Sequence, residues 1–283
     1  MYYLLLAIVY LLSLLPLRLL YVLSDIIFVI AYYIAGYRKE MVLESLQHAF
    51  PEKNVEELKH IRRSFYRNFY DQWIETLKLL SISKEELNRR VTGNWEVFQQ
   101  LHTANKNACA LLGHTFNWEW ANVACQYNVQ QQFAGIYMPI DNKAFDRLIK
   151  KVRARSGAWL ISMKAKKGMQ RLSNVNHIVG LITDQNPSDL QHVTWHSFLN
   201  REAPFFTGPE KLARREKAAV VFAGIKKIKR GYYEVMLEKV ADDASLIERG
   251  AIMKAYVAFM ERQIKEQPEN WLWTHRRWKH TRA

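Results

Sequence analysis

Cysteine is almost missing from this chain of 283 residues: Cys109 and Cys125 are the only two, and both sit in apolar stretches. That excludes a disulfide framework, and the spacing fits no zinc site, so both read as buried thiols of a reducing compartment. Internal repeats and low-complexity linkers are also lacking, which argues against solenoids and tethered modules. No Ser or Cys stands in a nucleophile elbow, so a covalent enzyme intermediate is not marked. Charge is scarce at the start. From Met1 to Gly36 only Arg18 and Asp25 are charged. Beyond that point the balance reverses, and the whole chain carries a net charge of +14.

A bilayer-spanning helix needs about 20 apolar residues. The first 36 residues supply one tilted helix, or a helical hairpin bent at Leu15-Pro16-Leu17-Arg18 that dips into one leaflet. They lack the basic start and small-residue cleavage site of a signal peptide. Arg38 and Lys39 follow at once, as a cytoplasmic flank would. The blander reading is a buried hairpin of a soluble protein. The positive charge suits an anionic membrane, an acidic protein or phosphorylated ligand, or nucleic acid.

Periodicity divides the rest. Glu40–Phe50 reads as a helix stopped by Pro51, and Asn54 as the N-cap of a helix over Val55–Leu80. Phe65, Tyr66, Phe69, Tyr70, Trp73 and Leu77 give that helix an aromatic stripe expected to face a core. Ser83 opens another short helix. After Gly93, strands alternate with helices. Strands are expected at Ala108–Leu112, Phe133–Tyr137, Ile178–Thr183, Ala218–Phe222 and Tyr232–Glu238. Helices are expected at Trp118–Tyr127, Lys143–Ser156, Met163–Val175, Glu210–Arg215 and Ala244–Glu266. The alternation predicts an α/β fold with a largely parallel central sheet. A hairpin turn at Arg230-Gly231 makes its end antiparallel, so the sheet is mixed.

Chemistry concentrates at strand ends, where open α/β sheets place ligands. Leu111-Leu112-Gly113-His114-Thr115-Phe116-Asn117-Trp118-Glu119 sets His114 at a strand-to-helix turn and Glu119 in the first helical turn. A carboxylate that accepts the Nδ1–H of a histidine fixes its tautomer and frees Nε2 to take a proton from a hydroxyl. Glu119 is the partner this spacing suggests. Asp184 ends another strand, and Arg153 and Arg155 lie late in the helix after Tyr137. His192 and His196 have a spacing that could hold a metal, but no third ligand is evident and a loop is indicated by Pro187 and Ser188. Trp271, Trp273 and Trp278 stand among Arg276, Arg277 and Lys279. Nucleic-acid stacking is one reading, and an interfacial belt or packed C-terminal clamp is the favoured one.

These motifs resemble, over nearly the whole length, the lipid A late acyltransferases of Gram-negative bacteria. Leu46-Gln-His-Ala-Phe-Pro-Glu52 resembles the family's Asn-Leu-x-x-x-Phe-Pro-Glu stretch, with Ser45 where Asn is usual. Gly113 to Glu119 resembles Gly-His-x-Gly-Asn-Trp-Glu, with Thr115-Phe116 replacing the usual pair. Tyr137-x-Pro-x-Asp-Asn142 precedes the helix carrying Arg153 and Arg155. Asp184-Gln185 matches a strand-end Asp-Gln. Gln267-Pro-Glu-Asn-Trp-Leu-Trp-Thr-His-Arg-Arg-Trp-Lys279 is the most specific match. Glycerolipid acyltransferases are similar in fold, but their Phe-Pro-Glu-Gly-Thr-Arg loop follows the histidine, whereas Phe50-Pro51-Glu52 precedes His114.

The resemblance implies a glycerolipid-acyltransferase-like central mixed sheet flanked by helices, with residues 1–36 as a membrane anchor and 37–283 as the acyltransferase domain. It implies transfer of a fatty acyl chain from an acyl-carrier-protein thioester to a hydroxyl of a lipid A precursor, at the cytoplasmic face of the inner membrane. His114 is the expected base, with Glu119 holding it. Arg153 is expected to stabilise the oxyanion or orient the donor, with Asp184 placing its guanidinium. Asn117, Arg155 and Gln185 are candidate substrate contacts. Lys164, Lys166 and Lys167 are candidates for carrier docking or lipid phosphate. The partners implied are acyl carrier protein, a phosphorylated glycolipid and membrane lipid, with no nucleic acid, metal or cofactor. The alternatives are a lysophospholipid or aminolipid acceptor, or a non-catalytic membrane- or nucleic-acid-binding protein.

Overall fold

The computed structural model describes residues 2–165, 168–187, 189–280 and 282. Two short apolar helices open it, α1 (Tyr2–Leu14) and α2 (Leu17–Val29), separated by Pro16, whose ring cannot continue a helix from the preceding turn. A π-helical turn over Ile30–Ala35 prolongs α2 until Gly36, at φ 62°, ends it. Next come α3 (Lys39–Ala49) and the long α4 (Val55–Lys78). Asn54 and Glu57 close a reciprocal capping box at the start of α4, satisfying two otherwise orphaned amides. Ser83 caps α5 (Lys84–Arg90).

The central sheet has seven strands: β1 (Val91–Gly93), β2 (Ala108–Leu112), β3 (Gln132–Tyr137), β4 (Trp159–Ser162), β5 (His177–Ile182), β8 (Ala219–Lys229) and β9 (Tyr232–Ala241). Their order is β1-β9-β8-β2-β5-β3-β4. Only the β8–β9 pair is antiparallel. Its turn falls at Arg230-Gly231 as expected, with Gly231 at φ 74°. Helices α6 (Glu96–Thr103), α7 (Trp118–Asn128) and α8 (Lys143–Arg153) alternate with the strands. One sheet face packs on α7 through Ala110, Val221 and Trp120. The other packs on α10 (Ala251–Glu266) through Leu111, Phe222 and Tyr256. Strand β2 is apolar throughout because helices or loops cover both its faces.

Several expectations are corrected. Met163–Val175 is not a helix: strand β4 ends just before it, at Ser162, and a turn and a 3-10 helix at Gly168–Leu172 take its place. The run Ala158-Trp-Leu-Ile-Ser is of strand length, and β4 pairs with β3 at the sheet edge. A separate hairpin, β6 (Val193–Phe198) and β7 (Arg201–Phe206), was not anticipated. Its turn residues Leu199 and Asn200 have φ of 50° and 65°, a conformation that glycine would have advertised. Ala244–Glu266 divides into a 3-10 turn and α10, with Gly250 at φ 86° between them. The Glu210 carboxylate on α9 (Gly208–Arg215) accepts from the amides of Gly250 and Met253, standing in for a local cap. The aromatic stripe of α4 is buried only in part. Trp73 is exposed, while Asp71, Gln72 and Glu75 point inward.

Candidate active site

The site forms where β2 and β5 end side by side. Their parallel register pairs Leu112 with Ile182, so two residues further on the chain brings His114 beside Asp184. The contact is double. The His114 Nδ1–H donates to Asp184 Oδ1 over 2.6 Å, and the His114 backbone N–H donates to Oδ2 over 2.7 Å. The Trp271 indole N–H adds a third bond to Oδ2, at 2.7 Å. Burial by itself would raise the Asp184 carboxyl, but His114 and these donors outweigh it and lower it to about 2. Asp184 is therefore a fixed anion that holds imidazole in the Nδ1–H tautomer, with Nε2 as the free base. The Gln185 side-chain amide lies 3.0 Å from that Nε2.

This differs from the pairing that the spacing suggested. Glu119 does not hold His114. It meets Arg153, whose Nε lies 2.9 and 3.1 Å from the two carboxylate oxygens and whose Nη2 lies 2.5 Å from Oε1. The Trp118 indole also donates to Glu119, at 3.0 Å. Burial works against the Arg153 charge, but Glu119 outweighs it and holds the guanidinium above its ordinary pKa. Asp184 and Glu119 have thus exchanged their expected partners. The reason is directional. Asn117 caps α7 by accepting from the amides of Glu119 and Trp120, which fixes the first helical turn and aims Glu119 toward α8.

Asn117 is fully buried, so the structure does not place it as a substrate contact. Its amide donates to Glu75 Oε2 over 2.8 Å. Glu75 also accepts from the hydroxyls of Tyr21 and Tyr233, at 2.8 and 2.7 Å. Burial, with Asp71 adding to it, pushes the Glu75 carboxyl above the usual range. Arg155 turns away from the site, donating to the Ile82 carbonyl. Lys164 is exposed in the turn after β4, and Lys166 and Lys167 lie outside the described residues. His192 and His196 do not share a helix face. His196 is on β6, and among the described residues no cluster of three His, Cys, Asp or Glu could hold a metal.

The C-terminal segment is a clamp. The Phe116 amide donates to the Asn270 carbonyl, and the Leu272 amide donates to the His114 carbonyl. The Asn270 side chain donates to the carbonyls of Phe116 and Ile225, joining the histidine loop to β8. Trp271, Trp273 and Arg277 are buried, which decides for a packed clamp over an exposed belt. His275 accepts the amide of Asn186 at 2.7 Å and so holds the loop after Asp184. Trp271 and His275 were not singled out as site residues, although they stand inside the run that carried the most specific resemblance.

Below His114 a cavity of about 310 Å³ runs between α7 and the sheet. Its mouth carries His114, Gln185, Arg153 and Glu119 beside Met138 and Met163. Its depth is apolar and reaches Trp95, Phe98 and Leu237. Ala110, Gly135, Gly180 and Ala223 leave room along the sheet. A base above a narrow greasy pocket suits a reactive group joined to a hydrocarbon chain.

Residues 1–280 match the bacterial lipid A biosynthesis acyltransferase family. The chain belongs to that family. It is an acyltransferase of lipid A biosynthesis. Among its relatives is a lipid A biosynthesis lauroyltransferase of Escherichia coli (strain K12), 28% identical over 253 residues, which cover 86% of this chain and 79% of the relative. Within this lipid A acyltransferase, the mixed sheet flanked by helices is the expected architecture.

Proposed function

We propose that the protein moves a fatty acyl chain from an acyl-carrier-protein thioester to a hydroxyl of a lipid A precursor, with His114 as general base. The observation that carries this reading is the opening of His114 Nε2 onto the apolar cavity while Asp184 occupies Nδ1. The acceptor hydroxyl displaces the Gln185 amide and gives its proton to Nε2 as its oxygen attacks the thioester carbonyl. The imidazolium formed is stabilised by Asp184, as in other His–carboxylate pairs. Collapse of the tetrahedral intermediate forms the ester and breaks the C–S bond. The departing sulfur takes the proton back from His114. A positioned base of this kind contributes about 10²- to 10⁴-fold.

Arg153 stabilises the oxyanion. Glu119 occupies its Nε and Nη2, leaving Nη1 with no protein partner among the described residues. Losing one such donor costs about 3–4 kcal/mol. The donor chain lies in the cavity, where each buried methylene contributes about 0.8 kcal/mol. Its depth suits a saturated chain of the kind the lauroyl relative's name specifies. The acidic carrier and the phosphorylated acceptor both suit a surface of net charge +14. Lys164, beside Met163 at the mouth, is a candidate contact for either. The apolar outer faces of α1 and α2 attach residues 1–36 to the cytoplasmic face of the inner membrane, beside the domain formed by residues 37–283.

The test is transfer of labelled acyl chains from acyl carrier protein to a lipid A precursor by detergent-purified protein, with His114→Ala alongside. Transfer by the wild type and near-abolition in the variant are expected. Undiminished transfer by the variant would remove His114 from the mechanism.

A further inference from the structure

Residues 17–35 are long and apolar enough to cross a bilayer. Their surroundings argue that they do not. Helix α2 lies antiparallel along α4 and is bonded to it at both ends. At the α1–α2 turn, Lys78 donates to the carbonyls of Ser13 and Leu15, and the Ser81 hydroxyl also donates to Ser13. Midway, Tyr21 reaches Glu75 and Ser24 reaches Asp71. Arg230, from the β8–β9 turn, makes paired bonds of 2.6–2.9 Å to Asp25 and Asp71 together. At the far end Arg62 meets the Tyr32 hydroxyl. The shared length, from Lys78 to Arg62, is about 24 Å at 1.5 Å per residue, most of a hydrocarbon core about 30 Å thick.

A crossing α2 would therefore carry α4 into the lipid. Within that shared length the exposed side of α4 bears Arg63 and Arg67. Each such charge at mid-membrane costs about 2.5–3.5 kcal/mol, and α4 is in turn bonded to the sheet through Glu75 and Tyr233. Conversely, the side of the hairpin turned away from α4 is a continuous apolar surface. Leu4, Ile8 and Leu11 on α1, and Leu19, Val22 and Ile26 on α2, are each half or more exposed at helical spacing. Arg18 and Arg38 stand exposed at its edges, placed for anionic headgroups.

We propose that residues 2–35 form a hairpin that lies in one leaflet without crossing it, its outer apolar stripe facing acyl chains and its inner face bolted to α4. The N-terminus then stays on the side of the catalytic domain. The Arg147 guanidinium rests over the Tyr2 ring at 4.2 Å, which places the start of α1 against α8, the helix that follows the cavity mouth at Met138 and Ile140. A lipid-embedded acceptor would reach His114 by moving sideways along the leaflet. This inference rests on the membrane association proposed above.

The experiment adds full-length protein to preformed vesicles of phosphatidylethanolamine and phosphatidylglycerol. A fluorophore is attached at Leu19→Cys, Ile26→Cys or Ile34→Cys, and spin-labelled lipids report its depth. A leaflet hairpin puts all three within about 5 Å of one depth, and Tyr3→Cys reacts with an impermeant maleimide from outside. A crossing helix spreads the three over about 22 Å and shields Tyr3→Cys, which would overturn the inference while leaving membrane association standing. No quenching at any position would overturn membrane association itself, and the inference with it.

Discussion

His114 and Asp184 are joined twice, side chain to side chain and backbone amide to side chain, across 70 residues of sequence. The backbone bond needs only an acceptor, whereas the imidazole bond needs an anion. Asp184→Asn therefore keeps the loop in place but lets an amide N–H face Nδ1. That favours the tautomer with its proton on Nε2, where the base must be empty. Turnover should fall about 10³- to 10⁴-fold with KM nearly unchanged. Steady-state kinetics with saturating acceptor checks this, and a variant within tenfold of wild type would show that Asp184 does not set the tautomer.

Glu119 and Arg153 invite a double-mutant cycle. Glu119 is buried, and about a quarter of the Arg153 side chain is exposed. Arg153→Met leaves a carboxylate buried without its cation and should destabilise the fold by about 2–3 kcal/mol, less than for a wholly buried pair. Arg153→Met with Glu119→Gln removes both charges and should recover most of that stability. Activity should not recover, since the oxyanion donor is gone. Thermal unfolding measured beside acyl transfer separates the two effects. A double variant that regained activity would make the pair purely structural.

The exchange of partners shows where sequence reasoning stopped. Both strands that deliver His114 and Asp184 were legible from their apolar runs, and the parallel sheet followed from the alternation. Register was the missing quantity. With Leu112 opposite Ile182, the two strand ends meet at matched positions, and a carboxylate 70 residues away outcompetes one five residues away. The direction of Glu119 depended on the Asn117 cap, which in turn depended on Glu75 reaching in from α4. Such polar burial has no periodic signature. Hairpin β6–β7 escaped for a related reason, because its left-handed turn is made by Leu199 and Asn200 without glycine. The C-terminal run was legible as a clamp in composition, but not in what it clamps.

The cavity makes a prediction about chain length. Ala223 lines it from β8, between the His114 end and the deep wall at Leu237. Ala223→Leu adds three carbons to that wall. Donors two to four carbons shorter than the preferred one should then be favoured. The original donor loses about 0.8 kcal/mol for each methylene it can no longer bury, or about 15- to 200-fold in kcat/KM over two to four methylenes. Competition between acyl-carrier-protein donors of graded length checks this. An unchanged preference would mean that the chain does not lie along β8.

His275 gives the site a pH limit. Burial, with His114 and Arg277 adding to it against the pull of Asp184, lowers its pKa to about 4, from about 6.5 in an unfolded chain. Between those values the unfolded state binds the proton and the folded state does not, so stability falls as pH falls from about 6.5 toward 4. Asp184, lowered to about 2, acts in the same direction but in a more acid window. Its contribution is intact above pH 4 and fades only as pH falls toward 2, so the two windows do not overlap. Since His275 is partly exposed, we expect a loss of about 1 kcal/mol between pH 7 and 5, or about 2–4 °C in Tm. His275→Gln supplies a neutral acceptor for the Asn186 amide and should remove that part of the slope. If melting curves at pH 7 and pH 5 differ equally in wild type and variant, the acid sensitivity belongs to another group.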